Sequence, residues 1–224
     1  MIVGRPGSQK SGFALWLAVQ WNLPTLYLSA DMSSFTASTR IAEMKLGMTE
    51  EQVQALMQTP EGYERVMNSL RNVQITFSHD NPITWRSFQD DLDAYVELWD
   101  MYPQIIVVDN LMDMEDCDTD FAMQQKAMQE LVAISRKTGS TVVVLHHAQE
   151  NSSTNVEMPP SRGEVQNKMT QKPELVLSVA ISPDTGLFRV ACIKARMGKS
   201  DPSAKSYTTL QAYPDSTRFG PWRP

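Results

Sequence analysis

The first eighteen residues, MIVGRPGSQKSGFALWLA, constrain the fold most, because they join a short apolar strand, a glycine-bearing loop and a helical pattern. A loop in this position turns successive backbone N–H groups inward, and the positive N-terminal end of the following helix also favours an anion. The pattern therefore predicts a loop that binds nucleotide phosphates. Lys10 is predicted to reach the β and γ phosphates, and Ser11 to place its hydroxyl on a magnesium ion.

This loop departs from the pattern G-x-x-x-x-G-K-[ST] at one fixed position, because Gln9 stands where the second glycine belongs. Glycine suits that position since its missing Cβ lets the backbone approach phosphate closely. We expect Gln9 to reduce nucleotide affinity without abolishing it. The residues predicted to line the phosphates are Gly4, Arg5, Pro6, Gly7, Ser8, Gln9, Lys10 and Ser11.

Composition limits the classes of protein and partner. The 224 residues are 42% hydrophobic, enough for one large core, and we predict a single domain over 1–224. No apolar run approaches the roughly 20 residues that span a bilayer, and no secretory signal is present. We therefore expect a soluble, intracellular protein with no membrane partner. The net charge of −6 means that any DNA contact must be local.

Short apolar runs alternate with helical patterns along the chain. This order predicts an α/β fold with a mostly parallel central sheet, helices on both faces and antiparallel strands at one edge. The segment 148–172 is predicted to be a mobile surface loop, and the chain is predicted to finish in a polar tail. Strands are predicted at 25–29, 73–77, 104–109, 141–145, 174–180 and 187–193, and helices at 31–57 with a break at Gly47, at 85–101 and at 123–137.

Polar side chains follow directly after several predicted strands, and in such sheets the ligand lies outside the carboxyl ends of the strands. Asp109 there would hold magnesium through water, or simply start a turn. Asp31 would orient or deprotonate the attacking water, or cap the next helix. Of His146 and His147, one is expected to face the nucleotide and donate a hydrogen bond to a γ-phosphate oxygen.

Two charged clusters allow further hypotheses. Lys194 and Arg196 lie on one side of the last predicted strand, and in a ring they would complete a neighbouring subunit's site. In a monomer they are a solvated strand end. A run of five carboxylates is either an acidic loop or a two-metal nuclease site, and it consists of Asp113, Glu115, Asp116, Asp118 and Asp120.

Together these segments resemble the C-terminal ATPase domain of DnaB-like replicative helicases, which has a RecA-type fold. The similarity covers nearly the whole chain, and the Arg-Pro within GRPGSQKS (4–11) is its most specific feature. LSADMS (28–33) resembles the motif that carries the catalytic base, and IIVVDNL (105–111) resembles the magnesium-binding strand. VLHH (144–147) is similar to the γ-phosphate sensor, and KARMG (194–198) to the arginine-finger strand.

The resemblance implies an ATPase that uses ATP and Mg²⁺ as a hexameric ring on single-stranded or forked DNA. Asp31 would be the catalytic base in place of a longer glutamate, His147 the sensor of phage-type relatives, and Arg40 matches an arginine expected in the helix after Asp31. The loop 152–172 falls where the family contacts DNA, with Arg162 and Lys168 as candidates.

Three functions remain open at this point. The first is a magnesium-dependent ATPase of the helicase type. Because the chain begins without a primase-binding domain or the linker helix that the family lends to a neighbour, we expect a weakened ring. The second is a metal-dependent DNA nuclease that uses the acidic run. The third is a non-catalytic DNA-binding or assembly component, which the altered residue Gln9 suggests.

Overall fold

A computed structural model describes residues 1–118, 120–149 and 155–222. Within these ranges it forms one nine-stranded sheet of order β3-β2-β4-β5-β1-β6-β7-β8-β9. The strands are β1 (Ile2–Gly4), β2 (Thr25–Ser29), β3 (Ile75–Ser78), β4 (Ile105–Asp109), β5 (Thr141–His147), β6 (Leu175–Ile181), β7 (Leu187–Ala195), β8 (Thr208–Tyr213) and β9 (Arg218–Pro221). The α-helices are α1 (Lys10–Trp21), α2 (Ser34–Leu46), α3 (Glu50–Leu56), α4 (Pro60–Leu70), α5 (Trp85–Trp99) and α6 (Phe121–Thr138).

The sheet is parallel from β3 to β6 and antiparallel from β6 to β9. Helices cover both of its faces, because alternate residues of each buried strand point to opposite sides. Ile106 and Val108 of β4 pack on the side that holds Phe88 of α5 and Leu131 of α6. Val107 of β4 packs on the other side, with α1 and α2. The predicted fold class is confirmed.

Two parts of the chain differ from the sequence prediction. Helix α4 was missed because its sequence is polar, with only Gly62 and Val66 buried, and its start depends on Thr59, whose hydroxyl accepts the Gly62 N–H. The predicted polar tail was wrong, because residues 208–221 form the hairpin β8-β9 and bury Phe219. A short edge hairpin alternates buried and exposed residues too briefly for a clear sequence signal.

The segment predicted as a surface loop after β5 contains packed residues in its described part, 155–172. Ala148 forms an antiparallel bridge with Val165, and both residues are buried. Residues 150–154 lie outside the described part. Among the described residues, no helix is both long and apolar enough to cross a membrane.

The aromatic cluster under α1 offers a test of the fold. Phe188 of β7 is fully buried, with its ring centroid 4.9 Å from Phe13 and 4.7 Å from Phe219. We expect Phe188→Ala to lower the free energy of unfolding by about 3–5 kcal/mol, because it leaves a cavity between packed rings. Phe35→Ala, at a position 59% exposed, is the matched control and should change it little. Urea unfolding measures both, and equal losses would contradict the packing described.

Candidate active site

The register of the parallel strands brings four predicted site residues to one edge of the sheet. Gly4 at the end of β1 pairs with His147 of β5, and Ser29 at the end of β2 pairs with Asp109 of β4. The loops that follow these strands therefore begin side by side. Lys10, Asp31, Asp109 and His147 all lie at this edge, as the sequence predicted.

The loop between β1 and α1 leaves the N-terminus of α1 without a side-chain cap from any described residue. Five other α-helices begin with a side chain that accepts a backbone N–H, whereas α1 has no side-chain cap within the described part of the chain. The N–H groups of its first turn are thus free to bind an anion. Gly4 suits this turn, because a Cβ at that position would lie 2.2 Å from the Ser8 Oγ and 3.1 Å from the Val179 Cγ2, and these side chains would have to move.

Gln9 occupies the position where the pattern expects glycine, and its backbone is left-handed, with φ 61° and ψ 22°. This conformation explains the preference for glycine, since a Cβ makes it costly by roughly 1–2 kcal/mol. The side chain turns toward α1, and its Oε1 lies 3.1 Å from where a Cβ on Gly12 would stand. Gln9 thus keeps the turn but strains it.

Lys10 and His147 form the centre of the site. The Lys10 Nζ lies 3.4 Å from the Nδ1 of His147. Burial and the adjacent Lys10 ammonium lower the pKa of His147 to about 4, so the ring is neutral at pH 7. An ammonium has only donors, so Nδ1 is the acceptor and the ring proton is on Nε2. His147 therefore offers an Nε2–H donor.

Lys10 is itself buried at 8% exposure, and burial lowers its pKa. The carboxylates of Asp109, Asp113 and Asp31 act in the opposite direction. They surround the ammonium with negative charge in a poorly hydrated site. A phosphate chain bound there would meet both a cation and these carboxylates.

Ser11 and Asp109 supply hard oxygen atoms beside Lys10. The Ser11 hydroxyl donates to Asp109 Oδ1 at 2.9 Å, and the Tyr27 hydroxyl donates to Oδ2 at 3.0 Å. Burial raises the pKa of Asp109, while these two hydrogen bonds and Lys10 lower it. A hydroxyl and a carboxylate held together match the oxygen ligands that Mg²⁺ prefers. Tyr27, in the middle of a buried strand, had no sequence signal for this role.

Asp31 is exposed at the end of β2 and does not cap α2. The capping alternative is wrong, because the Ser33 side chain accepts the Thr36 N–H at the start of that helix. The Asp31 carboxylate acts electrostatically on both Lys10 and Asp113. It thus faces the site from the solvent side.

Arg5 is turned away from the helix end that would hold phosphates. Its guanidinium is buried against the segment after β5, where it pairs with Glu164 at 2.7 Å. Pro6, next in the loop, lacks a backbone N–H. Within the predicted phosphate-lining set, the Arg5 side chain and the Pro6 nitrogen therefore offer no donor to a phosphate.

A polar cavity of about 710 Å³ adjoins Gln9. It is bordered by Arg40 and by the buried Glu43, whose carboxylate accepts the Thr217 hydroxyl at 2.8 Å. Burial raises the pKa of Glu43. Thr217 precedes β9, in the part of the chain predicted as a polar tail, so no sequence pattern indicated that it would lie here.

Lys194 and Arg196 do not join this site. Arg196 follows β7, and its backbone N–H donates to the Glu174 carbonyl just before β6, at the opposite edge of the sheet from Lys10. Its side chain pairs with Glu174 at 2.5 Å. The Lys194 ammonium donates to the carbonyls of Thr170 and Gln171.

The two candidate DNA-binding residues follow β5. Arg162 is exposed, and its Nε donates to the Thr170 hydroxyl at 3.0 Å. Lys168 ends a short 3₁₀ helix, Gln166–Lys168, and its side chain lies outside the described part. His146, the other histidine of the pair, is fully buried and its Nε2 lies 3.1 Å from the Gln166 carbonyl oxygen.

The acidic run after Asp109 does not form a metal centre. Asp113 accepts the Asn110 N–H, and Asp120 caps α6 through the Ala122 and Met123 N–H groups. In the described ranges, no three His, Cys, Asp or Glu side chains form a group that could hold a metal ion. The geometry therefore gives the nuclease hypothesis no support.

Comparisons with known proteins show the family to which the chain belongs. A family model described as an AAA domain matches residues 1–153. The Gene 65 protein of Mycobacterium phage D29 is 30% identical, with the alignment covering 98% of this chain and 97% of that protein. The Gene 65 protein of Mycobacterium phage L5 is 29% identical over 98% of this chain and 84% of its own length.

Solved structures show the same fold at low sequence identity. A DnaB-like replicative helicase, studied with its primase interactions, matches 98% of this chain with a TM-score of 0.81 and 14% identity. This chain spans only 56% of that helicase. The RadB recombinase matches 99% of this chain and 89% of its own, with a TM-score of 0.60 and 13% identity.

His147 should make stability depend on pH. Its pKa falls from 6.5 to about 4 on folding, so between these values the unfolded chain binds the proton more readily. The contribution to stability is full above pH 6.5 and is lost as pH falls toward 4. We expect urea midpoints to drop less between pH 7 and pH 5 in His147→Gln than in the wild type. Equal drops would contradict the buried neutral ring.

Gln9 should strain the phosphate loop. We expect Gln9→Gly to be more stable than Gln9→Ala by about 1 kcal/mol, because alanine keeps the Cβ in a left-handed turn. For a chain of this length, that difference corresponds to about 2–4 °C in Tm. Gln9→Gly should also bind a fluorescent ATP analogue more tightly than the alanine control. Indistinguishable variants would contradict this interpretation.

Proposed function

The chain belongs to the AAA domain family, and from that premise we propose that it is a magnesium-dependent ATPase of the DnaB-like helicase type. It acts on single-stranded or forked DNA in replication, in the phage-infected cell that its relatives suggest. The observation that carries the proposal is the meeting of Lys10, Ser11, Asp109 and His147 beside the uncapped start of α1.

The phosphates of ATP lie on the N–H groups of the first turn of α1, and Lys10 binds their β and γ oxygens. Ser11 and Asp109 would hold the magnesium ion. When bound, magnesium neutralises the charge that develops on the phosphates. The cavity beside Gln9 has the size and polar lining to receive the nucleoside, with Arg40 at its border.

Hydrolysis needs a positioned water and a stabilised γ-phosphate. Asp31 orients the water and accepts its proton as the oxygen attacks the γ-phosphorus and the bond to the bridging oxygen breaks. The neutral His147 donates its Nε2–H to a γ-phosphate oxygen. Lys10 balances charge on the departing diphosphate. These groups lie at the same sheet edge, so no large rearrangement is required to combine them.

Assembly into a ring completes the site. Since Arg196 and Lys194 lie at the edge opposite Lys10, they serve a neighbouring subunit, with six copies as in the helicase type. The described residues 155–172 would face the DNA, with Arg162 and Lys168 as contacts. A fork-unwinding assay tests strand separation by this chain alone.

ATP turnover tests the proposal. With Mg²⁺, ATP and an oligothymidine strand, we expect phosphate release that Lys10→Ala abolishes. Asp31→Asn should lower kcat by about 10²–10⁴-fold, because the general base is lost, while nucleotide affinity stays within about threefold. Asp80→Asn is the control, since Asp80 is exposed after β3 and near the same edge.

Other outcomes have definite meanings. Nucleotide binding without turnover would favour the non-catalytic assembly component, and DNA cleavage without ATP would favour a nuclease. Turnover that survives Lys10→Ala would contradict the site assignment.

A further inference from the structure

Arg5 belongs to the phosphate loop by sequence but binds another segment. Its Nη1 donates to the Met158 carbonyl at 2.8 Å, and its Nη2 donates to Glu164 Oε1 at 2.7 Å. The residue is only 5% exposed. This guanidinium thus fixes the phosphate loop to residues 155–164, which lie 150 or more positions after Arg5 in the chain.

Glu164 is also held by hydrogen bonds from Ser161. Its Oε2 accepts both the N–H and the hydroxyl of Ser161, at 2.8 and 2.7 Å. Its carbonyl accepts the Gln149 N–H, two residues after His147. Burial opposes its ionisation, but the Ser161 hydrogen bonds and Arg5 hold the pKa of Glu164 below its usual value. Arg5 therefore meets an ionised partner that Ser161 also holds in place.

We infer that Arg5 and Glu164 form a link through which nucleotide in the phosphate loop and DNA on the segment after β5 change each other's affinity. The inference rests on the proposed function, since it assumes both ligands. Arg5 is a positioning residue here and touches neither ligand.

The physical reason is that the hydrogen bond between Arg5 and Glu164 is costly to break. Although the Glu164 side chain is 34% exposed, that of Arg5 is buried, so separating the two leaves the Arg5 Nη2 without its partner in a poorly hydrated place. This is more costly than breaking a fully exposed pair. A displacement of the phosphate loop must therefore move Glu164 as well. Coupling between two sites is carried by such contiguous contacts and is reciprocal.

If the Arg5–Glu164 pair had a purely structural role, its loss would lower the stability of the fold without changing how one ligand affects the affinity of the other. The chain offers a matched control in Glu157, which lies on the same segment but pairs with Arg189 of β7 at 3.9 Å and, among the described contacts, does not touch the phosphate loop.

The experiment measures the Kd of a fluorescent ATP analogue with Mg²⁺, in the presence and absence of saturating oligothymidine. In the wild type we expect DNA to change this Kd by about 5- to 150-fold, the usual range for coupled sites. In Glu164→Gln the change should fall below about twofold, while the Kd without DNA stays within about threefold. Glu164→Asp should recover part of the effect, and Glu157→Gln should behave as the wild type.

The inference is overturned if Glu164→Gln keeps the wild-type effect of DNA, or if Glu157→Gln loses as much. A wild type that binds no nucleotide refutes the proposed function and the link with it. A wild type that binds nucleotide without any effect of DNA refutes the link alone.

A second measurement covers the case in which Glu164→Gln does not fold. Hydrogen exchange of the wild type should show slower exchange in 155–164 when Mg-ADP binds, because the loop and the segment move together. Unchanged exchange there, with protection confined to 4–13, would overturn the inference.

Discussion

The pairing register of four parallel strands is the constraint on which the site depends. Gly4 lies beside His147 and Ser29 beside Asp109, so the four strands end at one edge of the sheet, with the two pairs offset by two residues. A shift of one residue in either pair would turn the side chains to the opposite face of the sheet. The apolar core enforces this register, because Val107 and its neighbours must alternate between helices on the two faces. Packing far from the site thus fixes the distances within it.

The sequence was sufficient to predict those site residues that lie at or just after the ends of strands. Lys10, Asp109 and His147 could be predicted together, because parallel strands in this class of sheet deliver their carboxyl ends to one edge. Gln9 was also recognisable as anomalous, and its left-handed backbone explains why glycine was expected. These inferences need only local patterns and a general rule of topology.

The remaining features depend on contacts between distant parts of the chain. Nothing near Arg5 indicates that its guanidinium pairs with Glu164, and Tyr27 looks like an ordinary core residue until Asp109 is placed beside it. Thr217 reaches Glu43 only because the C-terminal hairpin extends the sheet. Such pairings are selected by tertiary packing, which no periodicity in a single sequence records.

The opposite placement of Arg196 and Lys10 has a consequence for how the proposed ring would be controlled. Each active site would lie at an interface, with Lys10 from one subunit and Arg196 from the next. Dilution that dissociates the ring would then stop ATP hydrolysis although each subunit stays folded. A single misfolded subunit would then impair both interfaces that it forms. One would lack Lys10 for phosphate binding, and the other would lack Arg196.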